Sequence, residues 1–426
     1  MVFENLKEWN IWWAKGNIKD LSGINREKTK EITNLLSLKQ IKTLAGIRRS
    51  GKSTILYQII EKLLTKAKPE NILFINMEDE ALLEADFDKI IESYFENVFP
   101  EGGIYLFIDE IQHRNKWEFW VKTQYDLKKF KQIFISGSSS SLLLSDYASL
   151  LTGRQLSFLI TPLSFKEFLS FKKFDYNLKF ITKRQKAKIK ALLKEYLMYG
   201  GFPEVVLEKE KHRILVEYYN NIIDKDIIAR YNLEERKVKD LARYILSNIS
   251  SLHSYKRLAS LVSLSPTTVT SYLNYIENAF LITQVPIFSY KIKDHLQYPR
   301  KIYCADVGLA NIIAFQFSSN LGKLYENLVF LELKRKNNEI YYWKSKQQEE
   351  VDFVIKKGLK IKELIQVCYN LNNQDVKKRE IKALLKAMNA FKIKKGLIIT
   401  DDFSGEEEFD NKKIIFKPLW LWLLQG

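Results

Sequence analysis

Short apolar runs alternate along this 426-residue chain with stretches whose apolar residues recur every three or four positions. The runs at 40–45, 70–77, 103–108, 131–135 and 155–160 predict buried strands. The stretches at 54–64, 86–99 and 117–130 predict helices with one covered face. Strands alternating with helices predict a parallel sheet covered on both faces, with ligands at the C-terminal ends of its strands. Ahead of the first strand, 25–36 reads as a helix, and Trp9, Trp12 and Trp13 form an aromatic patch that packs on the core.

Beyond residue 160 the pattern changes. Helices are expected at 183–198 and 211–230, separated by Tyr199, Gly200, Gly201, Phe202 and Pro203, since two glycines and a proline end a helix. Two further helices, 256–262 and 267–280, flank a turn with Ser265 as N-cap and Pro266 at the first helical position. A hairpin over 282–303 would carry Lys291, Lys293, His295, Arg300 and Lys301 near its tip, the pattern of a winged helix-turn-helix. After it come a helix at 321–336, strands at 340–343, 350–356 and 361–368, a helix at 376–391 and a strand at 396–400. The expected division is a lead-in (1–33), the parallel-sheet domain (34–165), a helical lid or linker (166–236), the winged helix-turn-helix (237–305) and a last α/β domain (306–426). The fold class is α/β multidomain.

Composition narrows the setting. The formal net charge of +17 favours polyanionic partners, although a lysine-rich soluble surface has the same composition. Only two cysteines are present, Cys304 and Cys368, so neither a disulfide framework nor a cysteine zinc site is expected. No apolar run reaches the roughly 20 residues that span a bilayer, and the first residues lack the order of a secretion signal. The expectation is a cytoplasmic protein without a membrane partner.

The chemistry concentrates at 46–54. Gly46, Ile47, Arg48, Arg49, Ser50, Gly51, Lys52, Ser53 and Thr54 follow the spacing GxxxxGK[ST] between a predicted strand and a predicted helix, which makes a P-loop. The glycines let backbone N–H groups turn inward as a nest for phosphate oxygens. Lys52 supplies a point charge for the β- and γ-phosphates, and Ser53 offers a hydroxyl to Mg²⁺. The helix that follows directs its positive end at the phosphates. Arg48 and Arg49 either touch phosphate or pair with acids such as Glu78 or Asp79. ATP and Mg²⁺ are the ligands expected.

The strand at 104–108 ends in Asp109 and Glu110. Asp109 is the candidate Mg²⁺ ligand, through water, and Glu110 the candidate base for an attacking water. Ser136, ending the next strand, either contacts the γ-phosphate or that water, or belongs to a serine-rich turn. Arg154 is a candidate arginine finger, within the chain or across to a neighbouring copy, or an ordinary exposed arginine.

With these residues placed, the chain resembles a prokaryotic family of AAA-type P-loop ATPases with a C-terminal region of the DUF4143 type. The resemblance rests on 46–53, on Phe107 to Gln112, on Ile135 to Ser138, and on Leu151 to Arg154. It extends to 162–167, 199–203, Leu324 to Asn327, and Glu350 with Asp352. It implies an ATPase with a winged-helix module and a tail of the PD-(D/E)xK, restriction-endonuclease-like fold. On that pattern Glu326 is the helix acid and Asp352 the strand acid. Gln366 and Cys368 stand where Glu and Lys would be, and Glu363 faces the other side of its strand. The tail is therefore expected to be a catalytically degenerate nuclease. The function expected is Mg²⁺-dependent ATP hydrolysis by a switch or motor that contacts DNA. The alternatives are an ATP-regulated DNA-binding regulator with negligible turnover and an ATP-dependent nuclease. A homo-oligomer and an unidentified protein partner are also entertained.

Overall fold

Successive residues of a strand point to opposite faces, and here both faces are covered. Leu73, Ile75, Leu106, Ile108, Ile133 and Ile135 enter one apolar core, whereas Ile72, Phe74, Phe107 and Phe134 enter a second. The strands are β1 (Ile41–Ala45), β2 (Ile72–Asn76), β3 (Tyr105–Asp109), β4 (Gln132–Gly137) and β5 (Gln155–Leu159). They form one parallel sheet in the order β2-β3-β4-β1-β5. This is a computed structural model, and it describes residues 2–15, 18–142, 150–314 and 321–425.

The chain divides into two compact units, Met1–Thr161 with Asn278–Phe280, and Pro162–Glu277 with Leu281–Gly426. The lead-in belongs to the first unit for a physical reason: it covers the free edge of β2. The Asn10 side chain donates to Phe74 O at 2.8 Å and accepts from Phe74 N–H at 2.7 Å, as a neighbouring strand would. The indole N–H groups of Trp12 and Trp13 both donate to Ile72 O.

In the second unit, Ser164 and Glu167 form a reciprocal capping box that starts the helix Phe165–Phe171. The helix Lys183–Tyr199 stops at Gly200, whose φ of 72° and ψ of −160° only glycine tolerates. A Cβ there would lie 1.8 Å from Asp306 Oδ1. Asp306 accepts N–H bonds from Gly201 at 2.7 Å and Gly308 at 2.8 Å, tying the glycine break to the start of the helix Val307–Ala314.

Next come the helix Glu235–Ser247, strand β6 (Ser251–His253), and the helices Tyr255–Val262 and Pro266–Asn278. The strands β7 (Ile282–Val285) and β8 (Arg300–Cys304) complete an antiparallel sheet in the order β6-β8-β7. Ser265 accepts the Thr268 N–H at 3.0 Å, so it caps its helix as its position suggests. Lys301, expected near an exposed tip, is instead buried on β8.

The last part is a mixed sheet of β9 (Glu339–Lys344), β10 (Glu350–Lys357), β11 (Lys360–Val367), β12 (Lys395–Thr400), β13 (Gly405–Phe409) and β14 (Lys412–Pro418). Their order is β13-β14-β12-β11-β10-β9. The helix Gln374–Phe391 packs Leu384, Ala387 and Met388 against it. Among the described residues, no helix is long and apolar enough to cross a membrane.

Candidate nucleotide site

The sheet order determines what meets at its C-terminal edge. β4 lies between β1, which enters the P-loop, and β3, which carries the two acids. Side chains from the ends of all three strands therefore converge on one place. Gly46 is required there, because a Cβ would stand 1.9 Å from Ile160 O. Gly51, at φ 94°, turns the chain into the helix Lys52–Leu63. Arg26, from the lead-in, donates to Ser50 O at 2.8 Å and to Thr161 O at 2.9 Å, buttressing the loop from behind. Nothing in the pattern around Arg26 marks it for this, and sequence reasoning passed it over.

The Lys52 ammonium is almost fully buried and lies 3.1 Å from Glu110 Oε1. It also donates to Gly46 O at 3.3 Å. Glu110 has a φ of 51°, a left-handed backbone uncommon outside glycine, which turns its carboxylate back toward the loop. Gln112 donates to its other oxygen and to Ser138 Oγ. Burial pushes the Glu110 carboxyl up. The Lys52 charge, the Gln112 donor and the Arg48 charge outweigh this and hold it lowered to about 2.

Its neighbour goes the other way. Burial and the Glu110 charge raise Asp109 to about 6, against hydrogen bonds from Ser136 and Ser53 and the charge of Lys52. Ser136 donates to Asp109 Oδ1, and its oxygen receives the Glu110 backbone N–H at 3.3 Å. Ser136 is thus a connector between the two acids. Arg48 pairs with Glu78 at 3.0 Å. Ile47, Arg49 and Thr54 lie in the loop and the first turn of its helix.

Arg154 is not brought here. Its carbonyl accepts the Ile41 N–H at 2.8 Å, which puts it at the N-terminal end of β1, roughly 15 Å from the P-loop. Its guanidinium pairs with Asp126 at 2.8 Å. The parallel register of β1 and β5 thus sets Arg154 at the end of β1 opposite the chain's own P-loop.

The residues fit a Mg²⁺-nucleotide. The Ser50 hydroxyl is buried in the loop with no hydrogen-bond partner among the described residues, an orphaned polar group that a phosphate oxygen would satisfy. Ser53 and Asp109 give the oxygen donor pair that Mg²⁺ prefers.

The parallel sheet and this convergence define a P-loop ATPase domain of the AAA type. Family models match accordingly: an AAA domain at residues 38–169, a domain of unknown function (DUF8612) at 190–320, and another (DUF4143) at 321–422. The chain belongs to the family of AAA-type ATPases that carry a C-terminal DUF4143 region. An uncharacterised protein of Methanocaldococcus jannaschii is 37% identical over 420 residues, covering 93% of this chain and 92% of that protein. One of Haemophilus influenzae is 30% identical over 394 residues, covering 89% and 94%. The structure of a Walker-type ATPase of Pyrococcus abyssi is similar with a TM-score of 0.45 and 14% identity, over 68% of this chain and 95% of that one.

Proposed function

We propose that the protein hydrolyses ATP with Mg²⁺ and uses the cycle to regulate contact with DNA. The observation that carries the first part is the pairing of Lys52 with a buried, anionic Glu110 beside Asp109, Ser53 and Ser136. Paired with Lys52, Glu110 is a poor base. The γ-phosphate competes for the same ammonium. Relieved of that charge, Glu110 keeps its burial, which raises its proton affinity, and it can then take a proton from water. The base is thus switched on by the substrate. Ser53 and Asp109 would hold Mg²⁺, whose charge stabilises the phosphate oxygens as the bond breaks. Ser136 holds Asp109 and the Glu110 backbone in register. Arg154, half-buried in its pair with Asp126 and at the far end of β1 from its own P-loop, would act only across to a neighbouring copy's site in an oligomer.

For DNA, the order helix, β6, helix, turn, helix, β7, β8 supports a winged helix-turn-helix, although the expected hairpin carries a short helix, Ile292–Gln297, between its two strands. Lys256, Arg257 and Thr267 are exposed on its helices. Beyond β7, Tyr290 and Ile292 are 83% and 79% exposed, flanked by exposed Lys291 and Lys293. That combination suits phosphate contact with an apolar wedge. Binding to duplex DNA should weaken linearly in log–log form with salt, and Lys256→Ala with Arg257→Ala should reduce the slope by about two. A salt-independent signal with an unchanged slope removes the DNA reading; salt-dependent binding with an unchanged slope removes only Lys256 and Arg257 from the contact. ATP binding without turnover would leave the regulator reading in place of the hydrolase.

A further inference from the structure

The DUF4143 tail resembles a nuclease whose acids hold a divalent metal, and the residues present do not fit one. Glu326 comes from the helix Leu321–Arg335, and Glu350 and Asp352 come from β10. At their centre sits an ammonium. Lys301 Nζ lies 2.9 Å from Glu326 Oε1, 2.7 Å from Glu350 Oε1 and 2.8 Å from Asp352 Oδ1, with its side chain 2% exposed. Tyr303, two residues along the same strand, donates to Glu326 Oε1 at 2.7 Å. The second Asp352 oxygen accepts the Val367 N–H at 2.9 Å.

Gln366 is also committed elsewhere. Its oxygen accepts the Asp352 N–H at 3.1 Å, and its nitrogen donates to Glu380. The amide that replaces a carboxylate ligand therefore braces the backbone. Burial alone would drive Lys301 toward its neutral form. The charges of Asp352, Glu326 and Glu350 outweigh it and hold the amine protonated, well above the ordinary lysine range. A divalent ion would have to displace a tethered cation and leave that ammonium buried without a partner, which is costly.

We infer that Lys301 is the resident cation of the tail's acidic centre, standing in for the metal and clamping β8 of the small sheet to β10 and the Glu326 helix. The tail is then a metal-independent scaffold, and the hairpin strand cannot leave it without exposing three carboxylates to one another. This goes beyond the ATPase reading and does not depend on it.

The test counts Mn²⁺ sites on the nucleotide-free full chain by the EPR signal of free Mn²⁺. Native protein and Glu350→Gln should bind the same number, because the tail contributes none. Lys301→Ala should gain one site per chain and be stabilised to heat by Mn²⁺. One site fewer in Glu350→Gln than in the native chain overturns the inference, as does a folded Lys301→Ala with no gain. Should Lys301→Ala not fold, the native comparison still decides, with a second readout. Supercoiled DNA incubated with native protein and Mn²⁺ should stay uncut; cutting that Glu350→Gln abolishes would mean that the centre is a working metal site.

Discussion

Lys52 Nζ lies 3.1 Å from Glu110 Oε1, although β1, which leads to Lys52, and β3, which leads to Glu110, are not neighbours in the sheet. The intervening strand, β4, adds Ser136, which contacts Asp109 and the Glu110 backbone N–H. The pair puts the candidate base under the control of the group that also recognises the substrate's terminal phosphates.

Ser136 donates to Asp109 and accepts from the Glu110 N–H. Its role is positional, so Ser136→Ala should leave ATP binding within a few-fold of native while lowering kcat roughly 10- to 100-fold. Fluorescent-nucleotide titration and steady-state phosphate release measure the two. Equal losses in both would instead mean that Ser136 helps to form the pocket.

Arg154 lies at the opposite end of β1 from its own P-loop and pairs with Asp126 on an exposed surface, where solvent screening makes such a pair a minor contribution to stability. Arg154→Ala should therefore fold normally. If Arg154 serves a neighbouring copy, native turnover per chain rises with protein concentration and the variant loses that rise by about 10²-fold or more. A monomer by sedimentation with full turnover, unchanged by the substitution, ends the role.

Asp306 is fully buried where it receives the N–H groups of Gly201, Gly308 and Leu309. Burial raises its pKa to about 6, the backbone donors only partly offsetting it. A folded-state pKa above the unfolded value means that its contribution is fully present below about pH 4, is lost as pH rises through 6, and is flat thereafter. Urea midpoints of the native chain and Asp306→Asn, compared from pH 4 to 7, should show the native slope over pH 4 to 6 flattened in the variant. Parallel curves would contradict this assignment.

Much of the first unit is legible in the chain because its physics is local. Strands β2 and β3 are buried on both faces, so they read as nearly continuous apolar runs, whereas β1 hides Lys42 and Thr43 in its buried stretch. The P-loop declares itself through spacing between a strand and a helix. The lost parts depend on contacts distant in sequence. Lys301 sits in a hairpin rich in lysines, and nothing near it reveals that its strand delivers it to acids 25 to 51 residues away. Arg154 follows a motif, but its distance from the site emerges only from the pairing of β5 with the start of β1. Strand β13 leaves no apolar pattern in the chain, because Glu406, Glu407 and Glu408 interrupt any alternation there. Arg26 looks like one more surface cation until its carbonyl partners are known.

The most direct measurement is ATP hydrolysis with Mg²⁺ by the native chain and by Glu110→Gln, each with and without duplex DNA, alongside ATP affinity. The account predicts turnover by the native chain, and retained binding with kcat lowered by about 10²- to 10⁴-fold in the variant. Native protein that binds Mg²⁺-ATP and never turns it over, or a Glu110→Gln variant as fast as native, would contradict it.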